Sequence, residues 1–287
     1  MKQNLLTKMK EEFHTFSKGQ KRIASYVLEH YDKACFMTAA KLAATVEISE
    51  STVVRFACEL GFDGYPAFQK ALQEIARNRL NNIQRMELSF DRIGDNVFEK
   101  VLNFDIERIR QTLEEASVEN FNEAVNSIIS AKNIYIVGTK SSSVLASFLA
   151  YYLGLVFKNV HLVHAGHSTG LYEQIFRIDP NDIMIGISFP RYSSHTVKAL
   201  QFAKDNGANT LAITDSMLSP LTEYARHLLL ARSDMASFVD SLVAPLSVLN
   251  ALIVAISIKL RDQTENSFKI LEGIWEKYEV YQKSEEN

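Results

Sequence analysis

The chain has 287 residues, 47% of them hydrophobic and 23% charged, with a formal net charge of −3 at pH 7. That length accommodates two domains with separate cores, and the composition is ordinary for a folded globular protein. Because no apolar run approaches the roughly 20 residues of a membrane span, and the charged N-terminus lacks the pattern of a signal peptide, we expect a cytoplasmic protein with no membrane partner.

Positive charge is concentrated towards the N-terminus. Residues 1–85 carry 13 Lys and Arg against 9 Asp and Glu, a net +4, whereas the remainder carries 18 against 25, a net −7. This asymmetry fits an N-terminal domain that faces nucleic acid. Cys35 and Cys58 have apolar helical surroundings and no partner spacing, so we expect both to be reduced core thiols.

Residues 1–80 are predicted to form an all-α domain. A first helix is expected over residues 3–15, Ser17 is placed to cap a second that ends near Tyr31, and Pro66 suits the first turn of a helix running towards Leu80. Between them, Thr38 to Gly61 predicts two short helices separated by a tight turn, capped by Thr38 and by the hydroxyl of Ser49. The predicted inward positions are Ala40, Leu42, Ala43 and Val46, then Val53, Val54, Phe56, Ala57 and Leu60.

The second of these helices carries a polar N-terminal half. The short Ser and Thr side chains allow close approach to phosphates or base edges, and the guanidinium group of an Arg can form two hydrogen bonds with a guanine. A helix N-terminus also favours binding of a phosphate. Capped helix pairs also occur in all-α domains that touch no DNA, so the pattern alone leaves both interpretations open. The predicted DNA contacts are Ser49, Glu50, Ser51, Thr52, Arg55 and Lys70.

The run ISESTVVRFACELGFDGYPAFQ, with the preceding FSKGQKRIASYVLEHYD, resembles the N-terminal domain of the RpiR/MurR family of bacterial transcriptional regulators. The resemblance extends over nearly the whole chain. It implies a helix-turn-helix domain whose partner is a double-stranded DNA operator. The helical pattern then weakens over residues 81–95, where Gly94 suggests a linker, and two connecting helices are expected at about 95–116 and 119–131.

From residue 133 the pattern alternates between β-rich runs and helices. Regular βαβ spacing predicts an α/β domain, here residues 132–263, with a parallel sheet covered by helices on both faces and a ligand crevice beyond the carboxyl ends of the strands. A long helix is expected from Asp240 to Leu260, with Asp240 as its cap, and residues 264–287 are predicted to contain a docking or dimerisation helix. The predicted strands are 133–138, 159–163, 182–188, 209–214 and 227–231.

Two of the predicted strands end in hydroxyl-rich loops that precede helices. A single Ser-rich turn is more often only a helix cap, but two at neighbouring strand ends form a set of hydroxyls and N–H groups suited to a phosphate monoester. Lys140 and Arg191 supply opposite charge. The predicted ligand-binding residues are Gly138, Lys140, Ser141, Ser142, Ser188, Arg191 and Ser193.

This half of the chain resembles the SIS (sugar isomerase) domain, a phosphosugar-binding αβα module with a five-stranded parallel sheet. Lys140 stands where the family usually has Gly, and Pro190 and Arg191 replace the second Ser and the Gly of its S-x-S-G motif. Arg191 would add a cation and bulk to the pocket, which leaves the class of ligand open. The loop residues that match the family are Gly138, Ser142, Ser188 and Ser193.

His161, His164 and His167 suggest a metal site, but side chains on a strand alternate between its faces and no carboxylate or thiol lies nearby in the sequence. We therefore expect no metal and no cofactor, and place His164 or His167 at the pocket rim. Asp234 and Asp240 can act on a sugar hydroxyl or cap a helix, and capping is favoured.

The sequence predicts a DNA-binding regulator of carbohydrate metabolism genes, a homodimer or homotetramer whose operator binding responds to a sugar-phosphate effector. The alternative is a phosphosugar isomerase with an accessory helical domain. Isomerisation needs a general base, usually Glu or His, and the predicted loops carry no Glu beside their serines. The prediction is therefore of a sensor rather than an enzyme.

Overall fold

The structure, a computed structural model, describes residues 5–79, 83–84, 86, 96–164, 168–233 and 239–281. It divides into two compact units, Met1–Leu88 and Ser89–Asn287. Most of the predicted linker, including Gly94, lies outside the described residues, as do His167 and Asp234.

The first unit is helical, as predicted. Ser17 caps its second helix through a complete capping box with Gln20, and Gly61 follows the fifth helix with a φ of 92°, a conformation that glycine adopts without strain. Its helices are α1 (Leu5–Glu11), a 3-10 turn (Phe13–Thr15), α2 (Lys18–Glu29), α3 (Tyr31–Ala34), α4 (Ala39–Thr45), α5 (Glu50–Glu59) and α6 (Tyr65–Arg79).

Aromatic rings hold α5 against its neighbours. Phe56 is fully buried and packs edge-on against Phe16 and Phe68, with ring centroids 5.2 and 6.0 Å apart. The Tyr65 hydroxyl donates to the Met37 carbonyl at 2.7 Å, and burial raises the pKa of Tyr65 to about 12. The orientation of α5 is therefore set by its buried face, which leaves the opposite face to solvent.

Three burial predictions for this unit are wrong. Ala40, Val54 and Cys58 are exposed, whereas Cys35 is buried as expected. On α5 the reason is helical phase, because Val53, Phe56 and Ala57 already complete the buried stripe, and positions 54 and 58 lie about 110° and 150° of rotation from the centre of that stripe.

The second unit contains the predicted five-stranded parallel sheet, in the order β2-β1-β3-β4-β5. Helices occupy the connections, and a 3-10 turn at Pro220–Glu223 precedes the last strand. The strands are β1 (Ile134–Gly138), β2 (Val160–Val163), β3 (Ile183–Ile187), β4 (Asn209–Thr214) and β5 (His227–Leu230). The helices are α7 (Val97–Glu115), α8 (Val118–Ser130), α9 (Ser141–Val156), α10 (Ser168–Ile175), α11 (Ser194–Asp205), α12 (Val243–Lys259) and α13 (Arg261–Lys277).

Successive residues of β1 point to opposite faces of the sheet and enter two different cores. Ile134 and Ile136 pack with α8, α9 and α12, whereas Tyr135 and Val137 pack with α10 and α11. The result is a three-layer αβα arrangement, which confirms the predicted fold class.

Two helix boundaries near the C-terminus differ from the prediction. The long apolar helix α12 begins at Val243, with Leu242 at its N-cap, so Asp240 does not cap it. The last helix begins at Arg261, before the segment 264–287 in which it was predicted, because the chain bends by 99° directly after α12 and resumes its helix there. Among the described residues no single helix is long and apolar enough to cross a membrane, and this bent pair meets the length and composition criteria only together.

Candidate functional site

The turn between α4 and α5 is held from α2. Glu47 has a φ of 52°, a left-handed conformation that costs free energy in any residue except glycine. Arg22 donates both to the Glu47 carbonyl oxygen at 3.1 Å and to its carboxylate at 3.2 Å. The Arg22 side chain thereby supports the turn that sets the angle between the two helices.

The N-terminal hydroxyls of α5 bond to one another. Ser49 stands at the N-cap, but its Oγ contacts Ser51 Oγ at 3.0 Å and Thr52 Oγ1 at 2.8 Å, and it caps no backbone N–H among the described residues. The predicted cap is therefore right in position and wrong in its hydrogen bond. Arg55 Nε donates weakly to the Ser51 carbonyl at 3.4 Å.

The exposed face of α5 contains the predicted polar residues and two further ones. Glu50, Ser51 and Arg55 are exposed, and Val54 and Cys58 lie on the same face, with Val54 37% exposed. An apolar side chain in this position can contact a thymine methyl group. The sequence could have shown that Val54 is exposed, because Val53, Phe56 and Ala57 are enough to fill the buried stripe of α5. Lys70 lies separately, exposed on α6.

The two Ser-rich loops lie side by side at one edge of the sheet. Gly138, the last residue of β1, is paired in register with Ile187, the last residue of β3. The loops that follow therefore begin on adjacent strands, at the carboxyl edge where parallel sheets bind ligands. The structure brings the predicted ligand-binding residues of both loops to this one edge.

The first loop requires glycine at its start and has a left-handed residue next to the helix. A Cβ on Gly138 would lie 2.4 Å from the Ser142 carbonyl oxygen, so only glycine permits this approach of β1 to α9. Lys140 is exposed and has a φ of 53°, and its carbonyl accepts from Ser143 Oγ at 2.6 Å. Ser142 is buried and Ser141 is exposed, and no side chain of the described residues caps α9.

The second loop is closed by a hydrogen bond at its base. The Ser193 N–H donates to Ser188 Oγ at 3.0 Å, and the His195 N–H donates to Ser193 Oγ at 3.2 Å, so Ser193 caps α11. Each hydroxyl accepts an N–H and keeps its own proton for donation to an anion. Arg191 is exposed at a φ of 63°, so the residues that replace two family glycines are both left-handed.

A third loop, after β4, contributes a buried polar cluster. Asp215 is 2% exposed and accepts from the Tyr192 hydroxyl at 2.8 Å. Thr214 Oγ1 donates to Ser219 Oγ at 2.9 Å, and Ser219 is also buried. The sequence gave no sign that Asp215 binds a tyrosine of the neighbouring loop, because the two residues are 23 positions apart.

The histidines do not assemble into a site in the part of the chain that is described. His161 stacks on Tyr135, with ring centroids 4.9 Å apart, and His164 is exposed with its backbone N–H bonded to Gln174. Within the described residues no group of three or more His, Cys, Asp or Glu side chains has the arrangement of a metal site.

Two family models match this chain. Residues 3–78 match the helix-turn-helix domain of the rpiR family, and residues 127–255 match the SIS domain. An uncharacterized HTH-type transcriptional regulator of Haemophilus influenzae is 28% identical over 229 residues, which make up 79% of each chain.

Two solved structures show the same folds. The sugar isomerase domain of the RpiR transcription factor from Sphaerobacter thermophilus is 30% identical with a TM-score of 0.60, and the match covers 62% of this chain and 99% of that one. The NanR protein of Vibrio vulnificus, solved with ManNAc-6P, is 20% identical with a TM-score of 0.60, over 95% of this chain and 98% of its own. This chain belongs to the RpiR family of helix-turn-helix transcriptional regulators.

Proposed function

We propose that this regulator binds its operator through the exposed face of α5 and that a sugar phosphate, bound where β1 and β3 end, changes that binding. The observation that carries the proposal is the pairing of two hydroxyl-rich loops and two helix N-termini at one sheet edge, on a chain that also carries a helix-turn-helix domain. A phosphate monoester suits such a site, because N–H dipoles and hydroxyl donors face the anion together.

The ligand is anchored, in this proposal, by Ser142, Ser188 and Ser193, with charge from Lys140 and Arg191. NanR was solved with ManNAc-6P, a phosphosugar of the class that the serine loops suit. Thr196 adds support, since its hydroxyl is fully buried in the first turn of α11 and has no hydrogen-bond partner among the described residues. Buried polar groups are nearly always satisfied, so a group bound at this helix N-terminus would complete the site.

Sensing is favoured over catalysis. An isomerase needs a Glu or His free to move a proton. In the described parts of these loops His195 lies in the first turn of α11, and the buried Asp215 binds Tyr192. Isomerase turnover that disappears in His195→Asn or Asp215→Asn would contradict this view. A sensor that binds operator DNA also works in the cytoplasm, where we place this protein.

The ligand signal has a physical route through α7. Directly after β5, the Arg232 N–H donates to Thr112 Oγ1 at 2.9 Å, and the Arg232 guanidinium pairs with Glu115. Ser241 Oγ donates to Asp105 at 2.5 Å. These contacts tie α7, the first described helix after the linker, to the same sheet edge as the serine loops. A shift at that edge is thereby transmitted to the helix that follows the DNA-binding domain in the chain.

The outer face of α7 supports assembly into a dimer or tetramer. Its polar residues Asp105, Thr112 and Glu115 bond inward, whereas large apolar residues face solvent at spacings of three and four. Such a stripe on one helix is self-complementary about a two-fold axis, which is also the symmetry of most helix-turn-helix operators. The exposed residues are Phe98, Leu102, Ile106, Ile109 and Leu113.

The assembly is tested by analytical ultracentrifugation. Ile106→Glu should shift the protein towards monomer, because a carboxylate in an apolar interface loses its hydration. Gln201→Glu adds the same charge to an exposed position on α11 and should leave the oligomer unchanged. If Ile106→Glu sediments as the unmodified protein does, the stripe is not the interface.

The sensor is tested by thermal unfolding against a panel of sugar phosphates. A ligand at about 100 times its dissociation constant stabilises the protein by about 2.7 kcal/mol. Ser188→Ala should abolish the shift, whereas Ser257→Ala, whose hydroxyl donates to the Val254 carbonyl of its own helix at 2.8 Å, should keep it. A shift that survives Ser188→Ala would place the ligand elsewhere.

The DNA-binding face is tested with Arg55→Ala. If Arg55 reads a base, the substitution should cost about 1–3 kcal/mol of specific binding and relax the base preference. Equal losses on the operator and on scrambled DNA would instead make Arg55 a phosphate contact.

A further inference from the structure

The loop from Ser188 to Ser193 holds a conformation that its own sequence disfavours. Arg191 has a φ of 63°, and a residue with a Cβ is less stable there than glycine. Pro190, directly before it, restricts the backbone on that side. Contacts in the folded structure must therefore select this conformation over the right-handed alternatives.

The contact next along the chain is the hydrogen bond between Tyr192 and Asp215. The tyrosine ring packs against the apolar core beneath α11, and its hydroxyl donates to Asp215 Oδ1 at 2.8 Å. Asp215 is 2% exposed, so its carboxylate is held inside the domain. A hydrogen bond to a buried carboxylate is among the stronger ones in proteins.

The base of the loop depends on the same conformation. The Ser193 N–H reaches Ser188 Oγ at 3.0 Å, and Ser193 then caps α11. If Arg191 turned to a negative φ, the following peptide would rotate and this N–H would leave the Ser188 hydroxyl. Both the serine donors and the α11 N-terminus would then lose their alignment.

We propose that Tyr192 and Asp215 are positioning residues of the sugar-phosphate site: their hydrogen bond holds Arg191 left-handed and so keeps Ser188, Ser193 and the N-terminus of α11 aimed at the ligand. The inference rests on the proposed sensor function. It assigns a role in effector affinity to a tyrosine and a buried aspartate that need not touch the ligand.

The test is isothermal titration of the full chain with N-acetylmannosamine 6-phosphate, glucose 6-phosphate, fructose 6-phosphate and inorganic phosphate. For any of these that binds the unmodified protein, Tyr192→Phe should weaken binding about tenfold. Tyr224→Phe, the same chemical change at the edge of the same core, should bind normally. Asp215→Asn, which keeps an acceptor oxygen, should lose less affinity than Asp215→Ala.

A double-mutant cycle separates positioning from general damage. Glycine adopts a positive φ without strain, so in an Arg191→Gly background the Tyr192→Phe substitution should cost about threefold or less. A merely structural role would give the same loss in both backgrounds, and that result would overturn the proposal. So would unchanged affinity of Tyr192→Phe in the unmodified background.

Hydrogen exchange tests the inference without any ligand. In Tyr192→Phe the Ser193 amide should exchange about tenfold faster, while the β1 and β3 amides stay as protected as before. Unchanged exchange at Ser193 would overturn the proposal even if the protein binds sugar phosphates. If the unmodified protein binds none of the probes but the Ser193 amide responds, the proposed sensor function fails for these ligands, whereas the effect of the Tyr192–Asp215 bond on the loop conformation stands.

Discussion

Gly138→Ala should damage the ligand site through backbone geometry alone. The added Cβ would lie 2.4 Å from the Ser142 carbonyl oxygen, 2.9 Å from its carbonyl carbon and 3.1 Å from the Ala146 Cβ. Ordinary carbon contacts are about 3.5 Å, so the first turn of α9 would have to move by about 1 Å. Because the obstacle is backbone rather than a flexible side chain, rotamer changes cannot relieve it.

The expected destabilisation is about 1–3 kcal/mol, the usual range for overpacking a core. Ser141 and Ser142 move with the helix, so the affinity for a sugar phosphate should fall at least tenfold. Stability is measured from hydrogen exchange of the β1 and β3 amides in increasing urea, which reports on the second unit alone. Affinity is measured by titration calorimetry.

Gly154→Ala is the matched control on the same helix. A Cβ there meets no atom within 4 Å, and alanine is a better helix former than glycine by about 0.8–1.0 kcal/mol. This variant should be at least as stable as the unmodified protein and bind the ligand normally. If Gly138→Ala matched it in both measurements, close approach of β1 to α9 would not be what shapes the site.

Three further predictions concern other parts of the chain. Ser17→Ala removes the capping box with Gln20 and should destabilise the first unit by about 1 kcal/mol, measured by urea unfolding, while sugar-phosphate affinity stays unchanged. Glu115→Gln breaks the ion pair with Arg232 and should leave ligand binding intact. It should bring the operator affinities with and without ligand closer together, and an unchanged ratio of the two affinities would exclude signalling through α7. Burial lowers the pKa of His227 below its ordinary value, so the folded protein favours the neutral imidazole. The melting temperature of the unmodified protein should therefore fall as the pH drops from 7 to 5, and that of His227→Gln should fall less steeply.

Much of the fold follows from local patterns. The five β-rich runs and the βαβ spacing determined the parallel sheet, because buried parallel strands are continuously apolar and alternate with helices. Ser17 and Gly61 marked helix ends correctly, since capping hydroxyls and positive φ angles depend on only a few neighbouring residues. The serine loops were also recognisable, because each lies directly between a strand and a helix.

Tertiary structure decided what depends on contacts between distant residues. A hydrophobic pattern predicted that Val54 and Cys58 are buried, but helical phase and the aromatic packing around Phe56 place both on the exposed face of α5. The partner of Tyr192 became visible only when β3 and β4 lay side by side. On α7 the apolar residues Phe98, Leu102, Ile106, Ile109 and Leu113 are exposed, because the polar face of the helix bonds to the sheet edge. The sequence by itself determined which elements form, since their signals are local, and the tertiary structure determined which faces and loops meet.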